Sequence, residues 1–211
     1  MTEITVIGAG KFAAEISRYV EDATTERDEV RIGQYLRIAD EPVHVPTERC
    51  APLDDFVPKA GARVVLAVSD MTQRRRLIDG YIDKYGLVAE NIIHPTARVD
   101  PAQLTGPGNI IGPECYVGVN AGLGAFNVLN YHCTVGNHSR FGSNNFISPN
   151  FHCGNSVTAG DDNFFGLSCT VTPEISIGSF SKFQAGLTLF ENAASRKSYF
   201  APPRLKVLGA D

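Results

Sequence analysis

Residues 110–124 read IIGPECYVGVNAGLG, and in this stretch an apolar residue followed by glycine recurs every six positions. From Val99 to Phe183 the same phase gives fifteen positions, of which fourteen are apolar and ten are followed by glycine. The positions are Val99, Thr105, Ile111, Val117, Leu123, Leu129, Val135, Phe141, Ile147, Cys153, Ala159, Phe165, Val171, Ile177 and Phe183. A six-residue period sustained over this length predicts a parallel β-helix.

Each six-residue unit predicts one short strand and one tight turn. The apolar residue points inward, and glycine lies where the turn leaves no room for a side chain. A single coil cannot bury its own apolar face, so the stacked coils together form the core. Three units per coil predict coils of about 18 residues, and the whole repeat predicts about five coils.

The cysteines fit this repeat better than they fit a disulfide framework. The chain has five cysteines and no CxxC pair, a pattern that does not favour disulfides. Cys115, Cys133 and Cys169 each lie two residues before a repeat position, at separations of 18 and 36 residues, with Phe151 at the missing rung. We therefore predict that they stack along one edge of the prism as small apolar side chains. Metal binding is the alternative.

The first ninety residues have a different character. Residues 3–7 predict a buried strand, and the glycine-rich turn that follows, Gly8-Ala9-Gly10, leads into a helix with apolar residues at helical spacing. A strand, a glycine turn and a helix N-terminus can bind a phosphate group. Further strands are predicted at 31–38 and 63–68, a loop at 40–50, and a helix capped by Ser69 or Asp70. The alternation predicts a parallel α/β sheet.

The ligand of this turn is open from the residues alone. An NAD site needs an acidic residue about 20 positions after the glycines, and Asp40, beyond the strand that ends at Ile38, matches this poorly. A sugar nucleotide or another small phosphate ligand fits the turn better. The remaining alternative is a glycine turn that only packs against its helix.

Bulk properties narrow the class of protein. The chain has 211 residues, 43% hydrophobic and 20% charged residues, and a net charge of −4. This charge does not favour nucleic acid as a partner. The sequence contains no apolar run of the roughly 20 residues that span a bilayer, and MTEITVIGAG does not read as a signal peptide. A cytoplasmic protein with no membrane partner is the expectation.

The chain resembles a known family. The IGAG start, the IIHPTARV junction at 92–99 and the uninterrupted repeat are similar to bacterial sugar acyltransferases of the sialic-acid O-acetyltransferase family. That family includes N-acetyltransferases acting on UDP- or GDP-linked 4-amino sugars. The resemblance runs from Ile4 to about Leu208. It implies a small Rossmann-like parallel α/β domain in 1–92, a left-handed parallel β-helix in 93–190, and a tail near coenzyme A in 191–211.

The same resemblance implies a homotrimer, with acetyl-coenzyme A as cosubstrate in the cleft between neighbouring prisms. It implies a sugar nucleotide held by Gly8, Gly10, Lys11, Phe12, Ser69 and Asp70. For coenzyme A the corresponding expectation is Gly154, Asn155, Leu167, Gly186, Pro202, Arg204 and Lys206. The basic residues at the end of the chain suit its phosphates, although Phe200-Ala201 replaces the glycine of the family's G-x-P-A-[KR] loop. A solvated basic tail is the alternative.

The family also implies a histidine base in a pattern like H-[DE]-C-x-I-G. Alignment on Gly142 places Asn137 at the histidine position, and His138 follows one residue later. We predict His138 as the general base and His132 as the second choice, because imidazole titrates near neutral pH. Asn137 is predicted to orient the substrate or to donate to the oxyanion. Two surface histidines without a role, or a zinc site with His152, are the alternatives.

The leading hypothesis is therefore an acetyl-coenzyme-A-dependent N-acetyltransferase that acts on a nucleotide-linked amino sugar in surface-polysaccharide biosynthesis. O-acetylation of a sugar and transfer of a longer acyl group are alternatives within the same class. A non-catalytic sugar-nucleotide-binding or scaffold trimer is the alternative from another class.

Overall fold

The computed structural model describes residues 2–27 and 30–201. Its N-terminal part is a parallel five-stranded sheet with the strand order β3-β2-β1-β4-β5. These strands are β1 (Thr2–Ile7), β2 (Val30–Arg37), β3 (Cys50–Pro52), β4 (Arg63–Leu66) and β5 (Val88–Ala89). The strands predicted at 3–7, 31–38 and 63–68 are confirmed, with slightly different ends. The short edge strands β3 and β5 were not predicted.

Helices flank this sheet. Helix α1 (Lys11–Arg27) follows β1, and α2 (Met71–Leu77) follows β4 and continues as a π-helix over Ile78–Asp83. The predicted cap of α2 is confirmed at Asp70, whose carboxylate accepts the N–H of Gln73 at 2.8 Å. Short 3-10 turns occur at Thr47–Arg49, Leu53–Asp55 and Pro101–Gln103.

The remaining strands are two residues long and form three parallel sheets, here called faces 1, 2 and 3. Face 1 holds β6 (Ile92–Ile93), β7 (Ile110–Ile111), β10 (Val128–Leu129), β13 (Phe146–Ile147), β16 (Phe164–Phe165), β19 (Lys182–Phe183) and β21 (Ser198–Tyr199). Face 2 holds β8 (Tyr116–Val117), β11 (Thr134–Val135), β14 (His152–Cys153), β17 (Thr170–Val171) and β20 (Thr188–Leu189). Face 3 holds β9 (Gly122–Leu123), β12 (Arg140–Phe141), β15 (Thr158–Ala159) and β18 (Ser176–Ile177).

The strands pair with partners 18 residues away, as Leu129 does with Ile111 and Ile147. This confirms the predicted coil length, and the three parallel sheets are consistent with a left-handed β-helix. The predicted cysteine edge is also confirmed, because Cys115, Cys133, Phe151 and Cys169 are all buried in the prism core. All five cysteines are free thiols.

The upper end of the prism core is aromatic, and its last coil is short. The rings of Phe165, Phe183 and Tyr199 stack at centroid distances of 4.8 and 4.9 Å. Phe183 pairs with Tyr199 and Ile177 bridges to Ala193, so the last coil advances by 16 residues rather than 18. The two missing residues fall after face 2, at the corner that leads towards face 3.

The turns between faces share one backbone geometry. From Thr105 to Phe183 the residue three positions after each repeat position has a positive φ, and only Gly108 and Gly186 among these residues are glycine; other examples are His132 (φ 56), His138 (φ 60) and Asn144 (φ 56). The glycine directly after the apolar residue is needed for a different reason. A Cβ on Gly136 would lie 2.2 Å from the carbonyl oxygen of Gly154 in the next coil.

A ladder of buried asparagines ties the coils together at the approach to face 1. The side-chain oxygens of Asn109, Asn127 and Asn145 accept the backbone N–H of the residue one coil above, at 2.9–3.0 Å. Asn145 also donates through Nδ2 to the carbonyl oxygen of Gly160 at 3.0 Å. These bonds satisfy backbone groups that the prism hides from water.

Replacing Asn145 by alanine is expected to lower the free energy of unfolding by about 1–3 kcal/mol, because the N–H of Asn163 and the carbonyl of Gly160 would lose a buried partner. Urea unfolding followed by circular dichroism measures the change. Asn155→Ala is the matched control, since its side-chain oxygen accepts the N–H of Asn137 at an exposed corner. Equal losses in the two variants would contradict the ladder's role.

The N-terminal part packs directly on face 1. The outward side chains of Ile110 and Val128 are fully buried and share one apolar cluster with Ile16 and Tyr19 of α1. The ring of Phe12 meets that of Phe146 at 5.4 Å. The N-terminal part therefore covers face 1 from Ile92 to Phe146, whereas the outward residues Lys182 and Ser198 at its upper end are exposed and faces 2 and 3 carry mostly exposed outward residues.

Candidate functional site

The predicted substrate-binding residues lie together at one edge of the N-terminal sheet. Gly8 and Gly10 form the turn after β1, and Ser69 and Asp70 follow the neighbouring strand β4. Because carboxyl ends of parallel strands meet at the same edge, the two segments face a common crevice. Lys11 is exposed beside it. Phe12 is different, because its ring packs on Phe146 of the prism.

The glycine turn binds a carboxylate of the protein itself. The carboxylate of Glu41 accepts the backbone N–H groups of Ala9 and Gly10, each at 2.9 Å. Sequence reasoning missed this contact because Glu41 lies 31 residues beyond Gly10 and outside any regular element. The sequence does place acidic residues shortly after the second strand, but the sequence analysis names Asp40, the neighbour of Glu41.

A cavity of ≈ 320 Å³ opens next to this edge, between the end of β2 and helix α2. Its lining includes Ile38, Leu53, Gln73, Arg76 and Tyr81. Among the described residues, the buried hydroxyl of Tyr81 has no hydrogen-bond partner. Burial, together with nearby Tyr85 and Asp54, raises the pKa of Tyr81 to about 12. The phenol is therefore protonated at neutral pH, and its hydroxyl is enclosed by the protein.

A second cavity of ≈ 260 Å³ lies between α2 and the prism corner that joins faces 3 and 1. Two cationic side chains line it, Arg75 and Lys182, along with the exposed ring of Phe180. Arg75 is partly neutralised by Asp162, which it contacts at 2.6 and 3.0 Å. The cavity therefore offers a cation and an aromatic ring on the prism side of α2.

Arg74 connects the N-terminal part to the same corner. Its fully buried guanidinium donates to Asn144 Oδ1 at 2.8 Å, to the carbonyl of Val68 at 2.9 Å and to the carbonyl of Phe126 at 2.5 Å. Burial lowers the pKa of Arg74 to about 9, which leaves the group charged at pH 7. The two hydrogen bonds from this buried charge to Asn144 and Phe126 fix α2 against the prism.

The predicted base residues stand on two different corners of the prism. His132 lies between faces 1 and 2, and His138 lies between faces 2 and 3. Both imidazoles are exposed, and within the described chain neither makes a side-chain hydrogen bond; His132 only meets the ring of Tyr131 edge-on at 5.9 Å. The two residues are equivalent turn positions, as the repeat predicts, and one chain does not bring them together.

Asn137 is part of the corner's own hydrogen bonding. Its Oδ1 accepts the N–H of Val119 at 2.9 Å, and its own N–H donates to Asn155 Oδ1 at 2.9 Å. A side-chain oxygen one coil above also accepts a backbone N–H at the corner between faces 3 and 1, as Ser143 does for Ala125. Asn137 therefore has a structural use, and its Nδ2 group alone is left for a ligand within the described contacts.

A third histidine, His152, faces outward on face 2, where its Nδ1 and the hydroxyl of Thr134 lie 2.9 Å apart. It differs from His132 and His138 in having this oriented ring. The described residues contain no group of three histidine, cysteine or acidic side chains placed to hold a metal ion. The zinc alternative thus gains no support within one chain.

The residues expected to bind coenzyme A are divided between two corners. Gly154 and Asn155 lie on the corner between faces 2 and 3, beside the coil of His138. Leu167, exposed, and Gly186, with φ +73, lie on the corner between faces 1 and 2. Pro202, Arg204 and Lys206 lie outside the described residues, so this part of the prediction has no structural counterpart.

None of the helices described in residues 2–27 and 30–201 is long and apolar enough to cross a membrane.

Comparison with known proteins supports the fold. No protein-family model and no curated protein sequence matches the chain. Solved structures do match it. A histidine-to-asparagine variant of perosamine N-acetyltransferase from Caulobacter crescentus, in complex with CoA and GDP-perosamine, superimposes with a TM-score of 0.77 at 20% identity, over 94% of this chain and 93% of that one.

Two further structures agree. WeeI from Acinetobacter baumannii gives a TM-score of 0.74 at 16% identity, over 94% of this chain and 96% of that one. The acetyltransferase domain of PglB from Neisseria gonorrhoeae gives 0.72 at 18% identity, over 92% of this chain and 93% of that one. At these identities the likeness concerns the fold, and over nearly its whole length the chain has the fold of these acetyltransferase structures.

Proposed function

We propose that this protein transfers an acetyl group from acetyl-coenzyme A to the amino group of a nucleotide-linked sugar. One observation carries the proposal. The chain joins a β-helical prism to a parallel sheet whose first strand leads into a glycine turn. This arrangement is matched over 94% of the chain by a structure that contains CoA and GDP-perosamine. O-acetyl transfer and transfer of a longer acyl group use the same architecture and stay as alternatives.

The N-terminal part serves, in this proposal, as a Rossmann-like nucleotide domain. Its strand order matches the first five strands of the doubly wound arrangement, in which ligands bind outside the carboxyl ends of the strands. Gly8, Gly10 and Lys11 would meet the diphosphate, with Ser69 and Asp70 across the crevice. The cavity lined by Arg76 and Tyr81 is the nearest place for the base or the ribose.

The reaction needs a base and an oxyanion donor. The sugar nitrogen attacks the thioester carbonyl, the C–S bond breaks, and the ammonium proton passes to an imidazole and then to the departing thiolate. We assign the base to His138, with His132 as the second choice. The free Nδ2 group of Asn137 is close by in sequence and is the candidate donor to the oxyanion.

Within one chain the substrate edge of the sheet and His138 lie apart, which favours a site shared between copies. The N-terminal part covers face 1, whereas His138 stands on the corner between faces 2 and 3. A neighbouring prism that docks this corner near the substrate edge would complete the site. It would also bring Gly154 and Asn155 of one copy towards Leu167 and Gly186 of the next, in the homotrimer that the resemblance implies.

A second candidate function is a sugar-nucleotide-binding trimer without catalysis. Asn137 favours it, because its side-chain oxygen is bound to the N–H of Val119 and no described residue orients the imidazole of His138. A catalytic base is usually oriented by a third group, and the described chain supplies none for His138.

A thiol-release assay separates the two functions. Purified protein is incubated with acetyl-coenzyme A and a panel of UDP- and GDP-linked amino sugars, each paired with the corresponding hydroxy sugar. Release of thiol with an amino sugar alone supports N-acetylation, and release with the hydroxy sugars supports O-acetylation. Binding of a nucleotide sugar without thiol release under any condition would contradict the enzyme and favour the scaffold.

A further inference from the structure

The glycine turn of this protein is closed by one of its own carboxylates. Glu41 binds in a bidentate manner, with Oε2 accepting the N–H of Ala9 and Oε1 accepting the N–H of Gly10, both at 2.9 Å. These are backbone donors at the start of α1, a helix of 17 residues whose N-terminus favours negative charge. Glu41 thus occupies the position that a phosphate group of a ligand would take.

The shape of the turn is fitted to this carboxylate. A Cβ on Gly10 would lie 2.4 Å from Glu41 Oε1, and the three atoms nearest to that Cβ all belong to Glu41. Gly10 does not have a positive φ, in contrast to Gly8. Glycine at position 10 therefore leaves room for the carboxylate, and a side chain there would displace the flexible end of Glu41 from the turn.

The segment that carries Glu41 is held against the turn at two further points. Its own N–H donates to the carbonyl of Ile38 at 3.0 Å, across a turn in which Ala39 has φ +40. Three residues later the N–H of His44 donates to the carbonyl of Ala9 at 2.8 Å. Because the backbone is anchored on both sides, displacing Glu41 requires rotation of its side chain and leaves the chain path in place.

We propose that Glu41 is a specificity-determining residue that competes with the phosphate of the ligand for the glycine turn. Two anions cannot share the same pair of N–H groups, so a diphosphate binds only after the carboxylate has rotated away. The cost of that displacement lowers the affinity for phosphate ligands and selects those whose remaining parts make further contacts. The inference rests on the proposed function for the identity of the ligand, and on the geometry alone for the competition.

The competition is tested with inorganic pyrophosphate as the probe. The amide resonances of Ala9 and Gly10 are followed by NMR during titration of the wild-type protein, Glu41→Gln and Glu48→Gln. Glu48→Gln is the matched control, because it removes the same charge from an exposed site in the 3-10 turn Thr47–Arg49. We expect half-saturation at an about 10-fold lower pyrophosphate concentration in Glu41→Gln only, as loss of a charged competitor predicts.

Three outcomes would overturn the competition. They are equal half-saturation in the wild type and Glu41→Gln, the same gain in Glu48→Gln, and amides that do not respond in either protein. A second titration with uridine and UDP, and with guanosine and GDP, tests whether Glu41 instead binds ribose hydroxyls. Weaker binding of nucleoside and nucleotide alike in Glu41→Gln would also overturn the proposal.

The pyrophosphate result is independent of acetyl transfer. If the Glu41→Gln amides respond as expected while no amino sugar releases thiol, the competition stands and the proposed function fails. If thiol is released but pyrophosphate affinity is the same in both proteins, the function stands and the competition fails.

Discussion

Replacing Arg74 by alanine is expected to lower the free energy of unfolding by about 3–5 kcal/mol, the combined effect of unpaired buried acceptors and a new cavity. The side chain is fully buried and donates to Asn144, to the Val68 carbonyl and to the Phe126 carbonyl. Alanine leaves these acceptors without their donor and opens a cavity where the two parts of the chain meet. Urea and thermal unfolding measure the loss.

Arg76→Ala is the matched control for this prediction. Arg76 stands two residues further along the same helix, is exposed, and makes no hydrogen bond or ion pair in the described part of the chain. Its replacement should change stability by no more than about 0.5 kcal/mol. Similar losses for the two variants would mean that Arg74 contributes only as a helix residue and does not join the two parts.

Replacing His138 by alanine is expected to lower turnover at least ~100-fold in the acetyl-transfer assay, the usual contribution of a general base. The Michaelis constant for the amino sugar should change little, because the imidazole acts on the proton of the attacking nitrogen.

His132→Ala and His152→Ala are assayed beside it. An effect below a few-fold in His138→Ala with a large loss in His132→Ala would move the base to the corner between faces 1 and 2. A large loss in His152→Ala alone would move it to face 2, where the hydroxyl of Thr134 already orients that ring. His44→Ala is the control for removal of an exposed imidazole from the N-terminal part.

The prism could be predicted from the sequence almost residue by residue. Each inward position from Ile111 to Phe183 needs an apolar side chain, and the coil above leaves no room at the following glycine. The six-residue period is therefore visible in the sequence. The positive-φ corners are different. They are occupied by residues as unlike as Glu114, Phe126 and Asp162, because the corner constrains the backbone and leaves the side chain free. No single residue type therefore identifies these corners in the sequence.

The candidate site could be predicted only in part. The glycine turn was found from its local spacing, since strand, turn and helix are consecutive. The contact of Glu41 with that turn, and those of Arg74 with Asn144 and Phe126, join segments that are 31 to 70 residues apart. Such contacts depend on how the sheet docks on face 1, which has no signature in local sequence. The role of Asn137 at its corner has another origin, because its partners Val119 and Asn155 lie 18 residues away in the neighbouring coils and outside its local sequence.

The shortened final coil affects how two molecules could associate end to end. A stack of identical coils ends in a rim of unpaired backbone N–H and C=O groups, and a second molecule could add to such a rim end to end as amyloid strands do. Here the last described coil advances by 16 residues at Ile177 and Phe183, and face 1 continues one rung further, at Tyr199, than faces 2 and 3. In the described chain one pairing edge is therefore raised above the other two, so the stack does not end in three level edges onto which a second prism could add.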